Sequence, residues 1–208
     1  MAAALTGCAA PKMQLSANTS AALKDQSIVP TERKKPKFVA TAPGPAIALM
    51  TGADVKISDG NEIVKVYDIE DPAQSISQRL LQELQSARSV RPVAPAVFVD
   101  SSDPEKLATS AKGAAKYILD VETTYWSFLY FPADWKHYRI MYTADARLID
   151  AESKKVVAES RCVRIPDATP TSPTYQELLD NQAQVLKNEL KIAADACAKS
   201  FKAEMFSL

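Results

Sequence analysis

The chain has 208 residues, with 25 basic and 25 acidic side chains and 47% apolar residues. That length accommodates one domain with a proper core, or one domain and a tail. The balanced charge gives no footing for nucleic acid, and the 5 glycines form neither a G-x-G-x-x-G nor a P-loop. No apolar run approaches the roughly 18 residues that cross a bilayer.

Near the start, Leu5-Thr6-Gly7-Cys8 resembles the bacterial lipobox, in which Leu, a small residue and Gly precede a cysteine that is acylated and becomes the mature N-terminus. The resemblance implies lipidation at Cys8, with residues 1–8 the remnant of a signal whose basic and apolar parts lie further upstream. A chance match of four residues is the alternative. In such lipoproteins the residue after the cysteine sorts between membranes. Ala9 is not Asp, which implies the outer membrane, facing the periplasm.

From Ala9 to about Pro45 no helical or strand period is sustained. Ser, Thr, Ala and Lys are mixed with prolines at 11, 30, 36, 43 and 45. Such a segment buries too little to offset its ordering entropy, so residues 9–45 read as a flexible tether spanning about 35 Å on average. The basic run Arg33-Lys34-Lys35-Pro36-Lys37 reads as a solvated stretch, with contact to anionic lipid as the alternative.

The folded part is expected over residues 46–208. Asp59-Gly60 between alternating apolar runs predicts a hairpin over 53–67, with Val55, Ile57, Val64 and Val66 on one face. Asp71-Pro72 caps and opens a helix with the stripe Ile76, Leu80, Leu81 and Leu84. Ala96–Asp100 reads as a strand, and Asp103-Pro104 opens a shorter helix to about Gly113. Between Tyr117 and Ile165 three antiparallel strands are expected. The first presents Tyr117, Leu119, Val121, Tyr125, Leu129 and Phe131, and the second Tyr138, Ile140, Tyr142, Ala144, Ala146 and Leu148. This register pairs Tyr125 with Tyr142 and Leu129 with Tyr138. The third strand brings Val156, Ala158, Ser160 and Cys162 to the core. A long helix, capped by Thr171 or Ser172, closes the chain with the stripe Leu179, Ala183, Leu186, Leu190, Ala193, Cys197 and Phe201. The fold class is therefore α+β: a mainly antiparallel sheet, two short helices and a long C-terminal helix packed on one face.

Cys162 and Cys197 fall on facing stripes. A disulfide closing a 35-residue loop is expected between them, as suits an oxidising compartment. Two free buried thiols acting as small apolar groups are the alternative.

This order of elements, with Gly113-Ala114-Ala115 leading into Tyr117-Ile118-Leu119 and the hairpin Ala146-x-Leu148-Ile149-Asp150-Ala151-x-Ser153-x-Lys155-Val156-Val157, resembles the TolB N-terminal-like αβ domain of periplasmic cell-envelope lipoproteins over about residues 46–205. The matched residues are fold motifs and carry no catalytic group across. The resemblance implies an adaptor that binds other envelope proteins; the expected partners are an envelope protein complex, with homo-oligomerisation as a further option, and the membrane through the lipid anchor.

Chemistry finds little purchase. His137 is the only histidine, which removes most nucleophile–histidine triads and multi-histidine metal sites, and it reads as a surface residue. Glu122, Asp145 and Glu159 are expected in one row across three strands, facing away from the core, within a solvated charge ladder in which Asp120 faces Arg147. No enzyme, metal or cofactor is expected. Eight of the fifteen aromatics lie within residues 125–142. Alternation puts Trp126, Phe128 and Tyr130 on the face opposite the core, near Trp135 at the hairpin tip, as a partner-binding patch. The expected function is a lipid-anchored periplasmic binding or adaptor component of an envelope complex. The alternative is a carrier holding a small lipid or glycan on that aromatic face, between sheet and helix.

Overall fold

The computed structural model describes residues 12–41, 60–111 and 113–208. In chain order the elements are β1 (Lys12–Met13), α1 (Ala17–Ala22), β2 (Ser27–Arg33), β3 (Val39–Ala40), α2 (Gly60–Val66), α3 (Pro72–Arg88), β4 (Arg91–Pro92), β5 (Val97–Val99), α4 (Pro104–Ser110), β6 (Tyr117–Phe131), β7 (Asp134–Asp150), β8 (Lys155–Arg164) and α5 (Tyr175–Phe206). They form an α+β fold around one sheet ordered β1-β8-β7-β6-β2-β4, with β3 added beside β6 and β5 beside β2. The long ladders β6–β7 and β7–β8 are antiparallel, whereas β2 and β3 run parallel to β6.

Side-chain alternation splits the sheet into two apolar faces. One carries Tyr117, Leu119, Tyr142, Ala144, Ala146, Leu148 and Cys162 and is covered by α3 and α5. The other carries Ile118 and Ile149 and meets Leu107, Ala108 and Ala111 of the α4 segment. The helix starts follow their cap chemistry: the Asp71 carboxylate accepts from the Ala73 N–H at 2.9 Å, and Asp103 from Glu105 at 2.9 Å. α5 is capped by Thr174, with a reciprocal bond from the Thr174 N–H to Glu177, and not by Thr171 or Ser172. Its first turn is set off by Asp180–Ala183, where Asn181, Gln182 and Ala183 take left-handed backbone angles. That interruption shifts the helical phase, so Leu178 is fully buried and the expected Leu179 only packs at the margin.

Residues 12–41 are not a tether. β2 lies between β6 on one side and β4 and β5 on the other, with Ile28 and Val29 fully buried. Burying two such side chains contributes about 1.5–3 kcal/mol each, which recruits a segment too short and too Pro-interrupted to show a period. The Leu15 N–H donates to the Met205 carbonyl at 2.8 Å, and Phe38 packs edge-on to Trp126 at 5.0 Å. The basic run is absorbed as well: Arg33 pairs with Asp120 and the Lys35 ammonium donates to the Ile69 carbonyl at 2.9 Å.

The hairpin expected over 53–67 is also corrected. Gly60 to Val66 is helical, and the first strand of that hairpin falls outside the described residues. Gly60 is required for a different reason: a Cβ there would sit 2.1 Å from the Phe38 carbonyl oxygen.

Three register shifts interrupt the long ladders, one of them at the hairpin tip between Tyr130 and Phe131, and the other two change which side chains share a face. Thr124 is an extra residue in β6, so beyond it Trp126 pairs with Tyr142, Phe128 with Ile140 and Tyr130 with Tyr138. Tyr125 and Leu129 are thereby turned off the core face that alternation assigned them. In β8 the four-residue turn 151–154 and an extra Val157 together slide the strand by two residues. Ala158, Ser160 and Cys162 therefore keep the expected face, while Val156, before the second slip, joins the other cluster.

Candidate functional site

The Thr124 bulge decides which aromatics are available. Trp126 and Phe128 do not belong to a surface patch: both are 0% exposed. The Trp126 indole N–H donates to the Pro36 carbonyl at 3.0 Å, and Phe128 stands edge-on to Phe38, Tyr138 and Tyr175 at 5.7–5.8 Å. The expected ligand space between sheet and helix is thus filled by the protein's own rings.

Tyr130 and Trp135 remain outside, 39% and 61% exposed, with ring centroids 6.4 Å apart at the tip of the two longest strands. Tyr130 rests edge-on against buried Tyr138 at 6.3 Å, so the outer pair continues a ladder of rings that begins in the core. Burial pushes the Tyr138 hydroxyl up to about 12, so that ring is neutral. The tip is braced by polar contacts: the Trp135 N–H donates to the Pro132 carbonyl at 3.1 Å, and Asp134 contacts the His137 ring at 2.5 Å and accepts from the Lys136 N–H at 3.1 Å. The bond with His137 holds the Asp134 carboxyl below its ordinary value. Tyr138 is tied by its N–H to the Pro173 carbonyl at 2.8 Å, which locks the hairpin to the entrance of α5. Two exposed aromatic rings on a rigid stem can bury area against a partner with little entropy left to lose.

Sequence reasoning saw only part of a second constellation. Asp120, 1% exposed, faces Arg147 as expected, but it also receives Arg33 from β2. The Arg33 guanidinium donates to it at 2.8 and 3.0 Å, Arg147 at 2.5 and 3.2 Å, and Thr31 at 2.7 Å. Burial would raise this carboxyl, yet the two arginines more than offset that and hold it below the usual range. Both guanidinia also donate to backbone carbonyls, Arg33 to Ser101 and Arg147 to Ser102. Their donors are spent inside the protein, so the cluster is a clasp between β2, β6, β7 and the entrance of α4.

A third group also escaped the sequence. Asp71, besides capping α3, accepts from the Thr123 hydroxyl, which contacts the Tyr142 hydroxyl at 2.9 Å. Burial raises the Asp71 carboxyl and pushes Tyr142 up. Beside it a cleft of about 370 Å³, with Ile69, Pro72 and Leu190 in its wall, opens between α3 and α5. Its rim mixes Asp68 and Glu70 with Arg79, Lys187 and Lys191, a pairing of signs that selects no ligand class.

The other expected residues fall as follows. Cys162 and Cys197 are joined as a disulfide, Cα atoms 5.4 Å apart, fastening β8 to α5. Cys8 lies outside the described residues. The row of three carboxylates is not formed: Glu122 faces Asp145, but the two-residue slide puts Arg161 next in line and Glu159 opposite Arg147. Arg161 closes on Asp145 at 2.6 and 2.7 Å.

The chain matches no protein-family model and no curated protein. By structure it is similar to the PelC dodecamer from Paraburkholderia phytofirmans, at 14% identity and a TM-score of 0.32 over 89% of each chain. It is similar to the lipoprotein GNA1162 from Neisseria meningitidis, at 14% identity and 0.32, over 84% of this chain and 96% of that one. It is also similar to the hypothetical protein CT253 from Chlamydia trachomatis, at 8% identity and 0.43, over 88% and 99%.

Proposed function

We propose that this chain is a lipid-anchored binding component of the bacterial cell envelope, an adaptor and not a catalyst. It is held at the periplasmic side of the outer membrane by acylated Cys8 and works through the aromatic hairpin tip. The observation that carries the reading is the Tyr130–Trp135 pair. Two large rings stand in solvent on a stem whose Trp126, Phe128, Tyr138 and Tyr142 are packed inward, and such a surface is costly to expose without a partner. The Cys162–Cys197 bond agrees with an exported protein, and Leu5-Thr6-Gly7-Cys8 supplies the attachment.

Two measurements on protein extracted from its own membrane test this. The intact mass reports acyl groups on Cys8, and a bare thiol there refutes the anchor. A photo-reactive residue in place of Trp135, activated in membranes, reports what the tip touches. A discrete adduct supports a binding tip, and reaction with water alone refutes it.

A further inference from the structure

We infer that the partner of Tyr130 and Trp135 is the surface of the bilayer in which Cys8 is anchored, so that the domain lies against its membrane. This rests on the lipid-anchor reading above and names the partner of that same tip.

The first ground is distance. Because residues 12–41 belong to the fold, only four residue steps separate Cys8 from Lys12, the first residue of β1. At roughly 3.6 Å a step they reach no more than about 14 Å. A domain of this length has a radius of gyration near ~17 Å, so an anchor that short cannot hold it clear of the lipid.

The second ground is direction. β1 is antiparallel to β8, with Lys12 opposite Ser160 and Met13 opposite Glu159. β1 therefore runs against β8, and its Lys12 side faces the direction in which β8 runs, toward Cys162 and Arg164. There Arg164 is level with Tyr142 and Trp126, and beyond them β6 and β7 continue to the tip. Lys12 itself is level with Ser160 and Ala146, eleven residues along β7 from Trp135, so an anchor close to Lys12 and the aromatic tip meet one surface only when the strands lie along it.

The third ground is the chemistry of the surface from Arg164 to the tip. Val163 and Ile165 are 52% and 55% exposed and flank exposed Arg164. The tip adds Trp135, Tyr130 and exposed Lys136, while the acid at the tip, Asp134, is tied to His137. Trp and Tyr favour the layer between headgroups and hydrocarbon, and nearby Lys and Arg favour anionic headgroups. A phospholipid surface matches that composition along its whole length.

The test uses the full acylated chain, reconstituted in phosphatidylethanolamine–phosphatidylglycerol vesicles whose acyl chains carry bromine, a fluorescence quencher. Trp126 is sealed in the core and serves as an internal reference. The expected result is loss of Trp135 emission in brominated relative to plain vesicles, with a blue shift on reconstitution. The Trp135→Phe variant, reporting Trp126 alone, should show neither. If the mass of the same sample shows acyl groups on Cys8 while Trp135 keeps its emission in brominated lipid and remains open to aqueous acrylamide, the membrane-facing tip is overturned and the anchor stands. Shielding of Trp135 by a cross-linked protein would overturn the membrane-facing tip in the same way. A mass showing no acyl group overturns the anchor and this inference together.

Discussion

Truncating Trp126 and Trp135 separately tests the bulge in β6. Trp126 is 0% exposed, edge-on to Phe38 at 5.0 Å and bonded to the Pro36 carbonyl at 3.0 Å. Trp126→Ala removes a whole buried indole, about 3–5 kcal/mol. It also leaves the Pro36 carbonyl without its donor, about 1 kcal/mol more. For a chain of this size each kcal/mol lowers Tm by about 2–4 °C, so a fall of about 8–24 °C is expected. Trp135→Ala removes a ring that is 61% exposed, and its cost stays within about 1 kcal/mol. Urea unfolding followed by far-ultraviolet circular dichroism suits both, since each variant loses a fluorophore. Equal costs, or a larger one for Trp135, would refute the placement of Trp126 in the core and with it the register beyond Thr124.

Three further outcomes are expected. Reducing the Cys162–Cys197 bond, which closes a loop over 35 residues, should remove about 3.8 kcal/mol in the chain-entropy treatment. Calorimetry with and without reductant reads this, and an unchanged Tm in protein whose mass shows two added hydrogens would contradict it. Asp120→Asn strips both arginines of their carboxylate and should cost about 3–5 kcal/mol near neutral pH. Because the folded Asp120 titrates below its unfolded value, its contribution is complete above the unfolded value and is lost as pH falls through the folded one. The gap between wild type and variant should therefore narrow in acid, and a gap independent of pH would exclude the ion pairing as its cause. Deleting Thr124 should abolish cooperative melting, whereas Thr124→Ala should stay within about 0.5 kcal/mol because that side chain is exposed; a deletion variant that melts like the wild type would show that the bulge is dispensable.

What is legible in the sequence follows strong local chemistry. Asp71-Pro72 and Asp103-Pro104 announce their helices, and both carboxylates make the expected cap bonds. The face of β7 is readable from its long alternation, and Cys162 and Cys197 from their positions on opposed stripes. What fails depends on partners distant in sequence. Alternation assumes one residue per step, so it passes over Thr124 and turns Trp126 and Phe128 outward. Asp59-Gly60 looks like a turn, but Gly60 answers to the backbone of Phe38 pressing against it. Ser27–Arg33 carries two strongly apolar residues and a proline, too little to show a period. It becomes a strand only because β6 offers it a ladder, and Arg33 becomes a clasp only because Asp120 lies beneath it. The exposed Tyr130–Trp135 pair is visible to alternation, but only as half of a larger patch.

The parallel pairing of β2 with β6 has a bearing on how the chain is made. Thr31 and Asp120, which it brings together, are separated by 89 residues, so one early-synthesised strand, with only β4 and β5 to pair on its other side, cannot complete its ladders until more than half the polypeptide has emerged. Closure of so long a loop is entropically slow. On the exported reading proposed above, that delay favours passage across a membrane, because the central sheet cannot close while β6 is still to come.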